Sequence, residues 1–190
     1  MKIVRAEMSH LDGVMELHKQ YHISSIRCDD KADGFVTTNF TPEQLNALVE
    51  KERGITVAMD GGRIIAYAMA ASWQFWSEWP LFAHMIEKLP ENAFKGQTLS
   101  VNNSYQYGPI CVNRQYRGSG VFQKVFFASL ADMADRYPIM LTFINRINPR
   151  SYAAHTKKVG MEIVCEFQFN QNEYYMLACP TRMLSDSKRE

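Results

Sequence analysis

One stretch constrains the fold more than any other: Tyr107-Gly108-Pro109-Ile110-Cys111-Val112-Asn113-Arg114-Gln115-Tyr116-Arg117-Gly118-Ser119-Gly120-Val121-Phe122. An apolar run passes through a basic turn with two glycines into an amphipathic segment, which reads as strand, tight loop and helix. From Val121 onward, Phe122, Phe126, Leu130 and Met133 recur at helical spacing, while Lys124, Asp132, Asp135 and Arg136 fall on other faces. The helix therefore begins at the glycines. Its first backbone N–H groups have no intrahelical partner and lie at the positive end of the helix dipole, so the turn is an anion site. Gly118 and Gly120 carry no Cβ to hold a phosphate off those amides, and Arg114, Arg117 and Lys124 add local positive charge.

Two nucleotide fingerprints fail on this loop. A dinucleotide G-x-G-x-x-G would need a third glycine where Gln123 stands, and no Gly-Lys-Ser or Gly-Lys-Thr follows as a mononucleotide P-loop requires. Gln115-Tyr116-Arg117-Gly118-Ser119-Gly120 instead resembles the Q/R-x-x-G-x-G/A signature of the GNAT family of N-acetyltransferases, in which the loop cradles the pyrophosphate of acetyl-CoA. A second block, Asn148-Pro149-Arg150-Ser151-Tyr152-Ala153-Ala154-His155-Thr156-Lys157-Lys158-Val159-Gly160-Met161, is similar to the later block of that family, with Met161 in place of its usual Phe. The residues agree: Asn148 suits a helix cap, Pro149 the first helical position and Gly160 the end.

The remaining elements follow from local signals. Lys2 to Ala6 reads as a first strand, with Ser9 capping a helix that runs to about Tyr21. The polar stretch from Ser24 to Asn39 reads as a solvated loop, or, by the resemblance, as a connection flanking the acceptor site. Thr41-Pro42-Glu43-Gln44 carries a capping box and opens a helix to Glu52. Gly54 to Met59 and Arg63 to Ala70 make a hairpin across Asp60-Gly61-Gly62. Trp73, Trp76 and Trp79 recur every third residue, as core, dimer interface or acceptor wall. A helix over Leu81 to Leu89, a loop from Pro90 to Ser104, and strands at Ile139 to Ile144, Met161 to Cys165 and Tyr174 to Cys179 complete the chain, with a turn near Asn170-Gln171-Asn172.

At 190 residues this is one domain, residues 1–180, with a polar tail over 181–190, and folding would hide roughly 70% of the unfolded surface. The 21 Lys and Arg nearly balance the 20 Asp and Glu, for a net charge of +1. That excludes long-range attraction to nucleic acid or an anionic membrane, so an anion site must be local. Cys28, Cys111, Cys165 and Cys179 form no C-x-x-C pair, which suggests neither a metal site nor a disulfide framework. Reduced thiols and the lack of a signal-peptide apolar region lead us to expect a soluble, cytoplasmic protein.

The resemblance implies an α/β (α+β) fold: a mixed, mostly antiparallel sheet of six to seven strands, splayed in the middle near Ile110 to Asn113 and flanked by four to five helices. It implies acetyl-CoA as co-substrate, held by Ile110, Cys111, Val112, Gln115, Tyr116, Arg117, Gly118, Ser119, Gly120, Val121, Phe122, Asn148 and Ser151. It also implies direct attack on the thioester by an amine of a small molecule or peptide, with a backbone N–H near Cys111 or Val112 stabilising the oxyanion. The usual tyrosine acid of the family falls on Thr156, a poor acid, which leaves Tyr152 and His155 as acid candidates or as packing residues. Glu78 and Asp29 are the candidate bases. Cys111, in an apolar strand without a base, reads as a structural thiol. An acyl-CoA sensor without catalysis is the other function the sequence allows.

Overall fold

The computed structural model describes residues 1–27 and 34–182. The chain builds β1 (Lys2–Arg5), α1 (Leu11–Tyr21), α2 (Pro42–Glu50), β2 (Ile55–Asp60), β3 (Arg63–Ala71), α3 (Trp73–Trp76) and α4 (Pro80–Lys88). A two-stranded hairpin, β4 (Ala93–Phe94) and β5 (Gln97–Thr98), precedes β6 (Ser104–Val112), α5 (Val121–Met133), β7 (Ile139–Asn145), α6 (Pro149–Ala153), β8 (Glu162–Phe169) and β9 (Asn172–Pro180). Seven strands form one sheet in the order β1-β2-β3-β6-β7-β9-β8. Only the central β6–β7 pair is parallel; the other ladders of this sheet are antiparallel.

Alternation along β3 sends its residues to two cores. Tyr67, Met69 and Ala71 pack with α1, α2, Trp73, Trp76 and Phe82, while Ala66, Ala68 and Ala70 meet Val125, Phe126, Leu130 and Met133 of α5. Three small side chains on one face let α5 lie close to the sheet. The buried stripe of α5 is Val121, Val125, Phe126, Leu130 and Met133. Phe122, expected in that stripe, is instead half-buried at its edge.

The sheet opens because β6 breaks step. β3 pairs with β6 on both sides of a bulge, Ala68 with Ile110 and Ala70 with Tyr107, so an extra residue is accommodated at Gly108-Pro109. Gly108 holds φ 112°, which favours glycine, and Pro109 has no N–H to give to a ladder. β7 keeps register with β6 only over Ser104–Gln106. Beyond Tyr107 the two strands diverge, two residues earlier than the sequence led us to expect. Below the opening the strand is clamped: the Trp73 indole N–H donates to Ser104 Oγ at 3.0 Å and that of Trp76 to the Gln106 carbonyl at 3.3 Å. Both indoles are fully buried, worth about 3 kcal/mol each relative to exposure. Trp73 and Trp76 are thus core, and Trp79 is half-buried with its N–H on the Asn39 carbonyl.

Several local readings need correction. The first helix is preceded by a short 3-10 turn capped at Glu7, whose N–H donates to His10 Nδ1 at 2.9 Å, so Ser9 lies inside the turn. The Pro90–Ser104 segment contains the β4–β5 hairpin. The last two strands are longer than expected and meet at Asn170 and Gln171, both at positive φ. Thr181, read as the start of the tail, is buried and donates from Oγ1 to the Tyr137 carbonyl at 2.6 Å. No helix among the described residues is long and apolar enough to cross a membrane.

Candidate active site

Above the bulge, the β7-facing edge of β6 has no strand partner among the described residues. Asn113 N–H donates to the Ile65 carbonyl, so by alternation Cys111 also bonds toward β3, and the N–H groups of Ile110 and Val112 face the opening. Of the two amides first considered for an oxyanion, Val112 therefore qualifies and Cys111 does not. Burial pushes the Cys111 thiol up to about 12, so it is a protonated wall residue rather than a nucleophile.

The strand runs into the glycine loop. Asn113 Oδ1 accepts from Gln115 N–H at 3.0 Å and sets a short 3-10 turn over Arg114–Tyr116. Ser119 Oγ closes it by donating to the Tyr116 carbonyl at 2.6 Å, and Arg117 Nε donates to the Val112 carbonyl at 3.1 Å. Tyr21, at the end of α1, braces the loop: its hydroxyl accepts from Arg114 N–H at 2.7 Å and its ring lies 5.0 Å from the Arg117 guanidinium. Gly118 and Gly120 take φ 87° and 83°, and a Cβ built on either would meet nothing within 4 Å. Among the described residues, no acceptor meets the N–H of Gly118, Gly120, Val121 or Phe122. An open cradle of converging backbone donors stands at the head of α5, the arrangement an anion needs.

A cleft of about 230 Å³ joins this cradle to the open strand edge. Of the residues named from the sequence, Ile110, Cys111, Val112, Tyr116, Arg117, Gly118, Gly120, Phe122, Asn148, Ser151 and His155 line it. Gln115 lies on an adjoining basic concavity, Ser119 fastens the loop from outside, and Val121 is buried beneath it. The lining also includes Phe35 and Val36, from the Ser24 to Asn39 stretch that the resemblance set beside the acceptor site, and Lys158 of the second block, none of them singled out from the sequence. Phe35 and Val36 come from a segment laid beside α1, Val36 N–H donating to the Tyr21 carbonyl at 3.0 Å, and no local pattern marks that placement.

The second block forms as the sequence implies at its start. Asn148 Oδ1 accepts from Ser151 N–H at 3.1 Å and Pro149 opens α6. The helix then widens into a π-type turn over Ala154–Lys158, which ends at Gly160 with φ 72°. His155 is 3% exposed, and its Nδ1–H donates to the Ser151 carbonyl at 2.8 Å. Burial among the rings of Tyr107, Phe122 and Phe126 depresses its pKa to about 4, so the imidazole is neutral near pH 7. Tyr152 packs against Tyr175, with ring centroids 4.8 Å apart and planes tilted by 40°, and is not in the cleft wall. Thr156 Oγ1 donates to the Tyr152 carbonyl at 2.8 Å. Glu78 is exposed, accepts from Gln44 Nε2 and lines neither the cleft nor the pocket beside it. Asp29 lies outside the described residues.

The fold has relatives of known structure. An N-acetyltransferase of Staphylococcus aureus superposes with a TM-score of 0.62 at 14% identity, over 95% of this chain and 98% of that one. A ribosomal-protein-alanine N-acetyltransferase of Brucella melitensis gives 0.61 at 14%, over 95% and 99%. The chain has the GNAT acetyltransferase fold. A Salmonella typhimurium protein described as an acetyltransferase, solved with its cofactor acetyl-CoA, shares that fold at 13% identity and a TM-score of 0.59, over 100% and 98%. No protein-family model matches the sequence, and no curated protein sequence does. The GNAT fold is thus carried here by a sequence only 13–14% identical to these structures.

Proposed function

We propose that this protein is an acetyl-CoA-dependent N-acetyltransferase that moves the acetyl group directly to an amine. The observation that carries the reading is the open cradle of amides at Gly118, Gly120, Val121 and Phe122, unpaired among the described residues and placed where the free edge of β6 ends. Acetyl-CoA brings an activated acyl group and a stable thiolate leaving group. The chain would hold its pyrophosphate on the amides of the Gln115 to Gly120 loop and the head of α5, with Arg117 beside them. The Ile110 and Val112 backbone would pair with the pantetheine amides, and one of these N–H groups would receive the carbonyl oxygen as charge develops on it.

The chain supplies orientation and electrostatics and little proton chemistry. His155 is neutral with its Nδ1 already bonded, and Tyr152 points elsewhere, so neither is placed to protonate a leaving thiolate. A thiolate can leave without an acid. The test is calorimetric titration with acetyl-CoA and free CoA, then thiol release on the same sample against an amine panel. Binding followed by amine-dependent release is the expected result. Binding without release would make the chain an acyl-CoA sensor, and no binding by folded protein would overturn the assignment of the cradle.

A further inference from the structure

A second pocket, about 100 Å³, opens from the cleft and shares with it the walls of Phe35, Val36, Ile110, Asn148, Ser151 and His155. The two compartments differ in charge. Arg117, Arg150 and Lys158 line the cleft, whereas none of the described residues lining the second pocket is Asp, Glu, Lys or Arg. Its body is aromatic. Phe82, Phe143 and Tyr174 meet edge to face, with centroids 5.4 and 5.6 Å apart, and Phe35 closes the side toward the cleft.

Polar atoms in this wall ask for donors. Gln106 Nε2 donates to the Tyr107 carbonyl at 2.6 Å, which fixes the amide and leaves Oε1 without a partner although it is sealed from solvent. His155 gives its Nδ1–H to the Ser151 carbonyl, and its Nε2, also sealed, has none. Both residues line the pocket, and each offers a lone pair rather than a proton. A buried acceptor left unpaired is destabilising, and a ligand N–H that reached it would recover that cost. A cationic amine would have to shed its water here with no described carboxylate to receive it.

On the transferase reading above, we infer that the acceptor is a neutral, weakly basic aromatic amine, its ring among Phe82, Phe143 and Tyr174 and its NH₂ group toward Gln106 and His155. The size agrees with one ring plus the shared mouth, since a dry cavity of about 150 Å³ admits benzene. The chemistry balances without a general base. The amine is already unprotonated near neutral pH, so its nitrogen lone pair forms the new N–C bond to the acetyl carbonyl carbon. The C–S bond breaks with its electron pair on sulfur, and the proton lost from nitrogen ends on the departing thiol, directly or through water. The titratable base in the described walls is His155, and burial lowers its pKa to about 4; such a weak base is enough for an amine that arrives unprotonated.

The experiment compares aniline with benzylamine, which share a ring but differ in whether the amine is cationic, using intact protein saturated with acetyl-CoA. Aniline should show the higher kcat/KM by about 100-fold. Its kcat/KM should stay flat between about pH 6 and 9, where that of benzylamine rises with deprotonation. Phe143→Leu should lower kcat/KM for aniline about tenfold and leave acetyl-CoA affinity unchanged, because Phe143 does not line the cleft. Equal or better use of benzylamine, or turnover of neither amine by protein that binds acetyl-CoA, overturns this inference alone. Failure to bind acetyl-CoA overturns the transferase reading beneath it.

Discussion

At the head of α5 the residue before the helix is Gly120, in a left-handed conformation and with no side chain to cap it, whereas at the head of α6 Asn148 spends its side chain on Ser151 N–H. Both helices begin against the same cleft, and both Gly120 and Asn148 line it. The difference is in which donors remain. At α5 four donors, Gly118, Gly120, Val121 and Phe122, meet no acceptor among the described residues, while Ser119 N–H between them donates to the Tyr116 carbonyl. At α6 Pro149 has no N–H and Ser151 is already satisfied. A helix terminus is an anion site when its own sequence leaves the amides bare, and a structural joint when a side chain satisfies them.

Filling the bare terminus should have the largest effect. Gly118→Glu brings a carboxylate to the cradle through a Cβ that would meet nothing within 4 Å, so the side chain has room to start. Acetyl-CoA affinity should fall by about 100-fold or more, or ~2.7 kcal/mol, in a calorimetric titration. Gly118→Ala carries the same positive-φ strain, about 1 kcal/mol, without the charge. If the alanine variant binds as poorly as the glutamate one, conformation rather than anion recognition explains the loss.

Acid probes the other terminus through His155. Its folded pKa, about 4, lies below the unfolded value of about 6.5, so the unfolded chain binds the extra proton between those limits. Stability should therefore fall as pH drops through that window and level off below it, by about 3 kcal/mol in all. Burial also lowers the pKa of His18, which holds the Thr38 carbonyl at 2.8 Å and works in the same direction. Chemical denaturation of wild type and His155→Leu at about pH 7 and 4.5 separates the two, because the leucine variant should lose most of the slope.

The contrast between the termini also shows what could be read from the chain and what could not. The Gly118-Ser119-Gly120 turn, the Thr41–Gln44 box and the Asn148-Pro149 start are local, because each is decided by groups within four residues. The Thr41 box forms as expected, Gln44 N–H reaching Thr41 Oγ1 at 3.2 Å and Thr41 N–H reaching Gln44 Oε1 at 2.9 Å. The exact place where the sheet opens is decided by pairing, since Gly108-Pro109 becomes a bulge only opposite Met69. Phe35 and Val36 reach the cleft through a loop fold with no periodicity to mark it. The packing of Tyr152 against Tyr175, away from the cleft wall, was hidden for another reason: the widened turn over Ala154–Lys158 changes which residues share a face, so counting helical steps back from Gly160 misplaces the side chains.

Removing the cap should matter less than removing the cradle. Asn148 is 7% exposed, and Asn148→Ala frees the half-buried Ser151 N–H and should cost about 1 kcal/mol, a fall in melting temperature of about 2–4 °C for a chain of this size. Because a freed amide is one more bare donor at the cleft, acetyl-CoA affinity should change by less than about threefold. A large loss of affinity at unchanged stability would mean that Asn148 contacts the ligand and that the two termini are not opposites.

The smallest effect is expected at Tyr152. Its ring lies against Tyr175 at 4.8 Å, and the cleft lining from this block includes Arg150, Ser151, Ala153, Ala154, His155 and Lys158 but not Tyr152. Tyr152→Phe keeps that packing and deletes only the hydroxyl, so kcat for acetyl transfer should stay within about twofold of wild type. A hydroxyl acting as general acid would be worth about 100-fold or more, and its loss would also erase the alkaline limb of the pH profile. That pair of changes would place α6 among the catalytic elements, on a level with the head of α5, and would require the helix to turn Tyr152 inward when the substrates are bound.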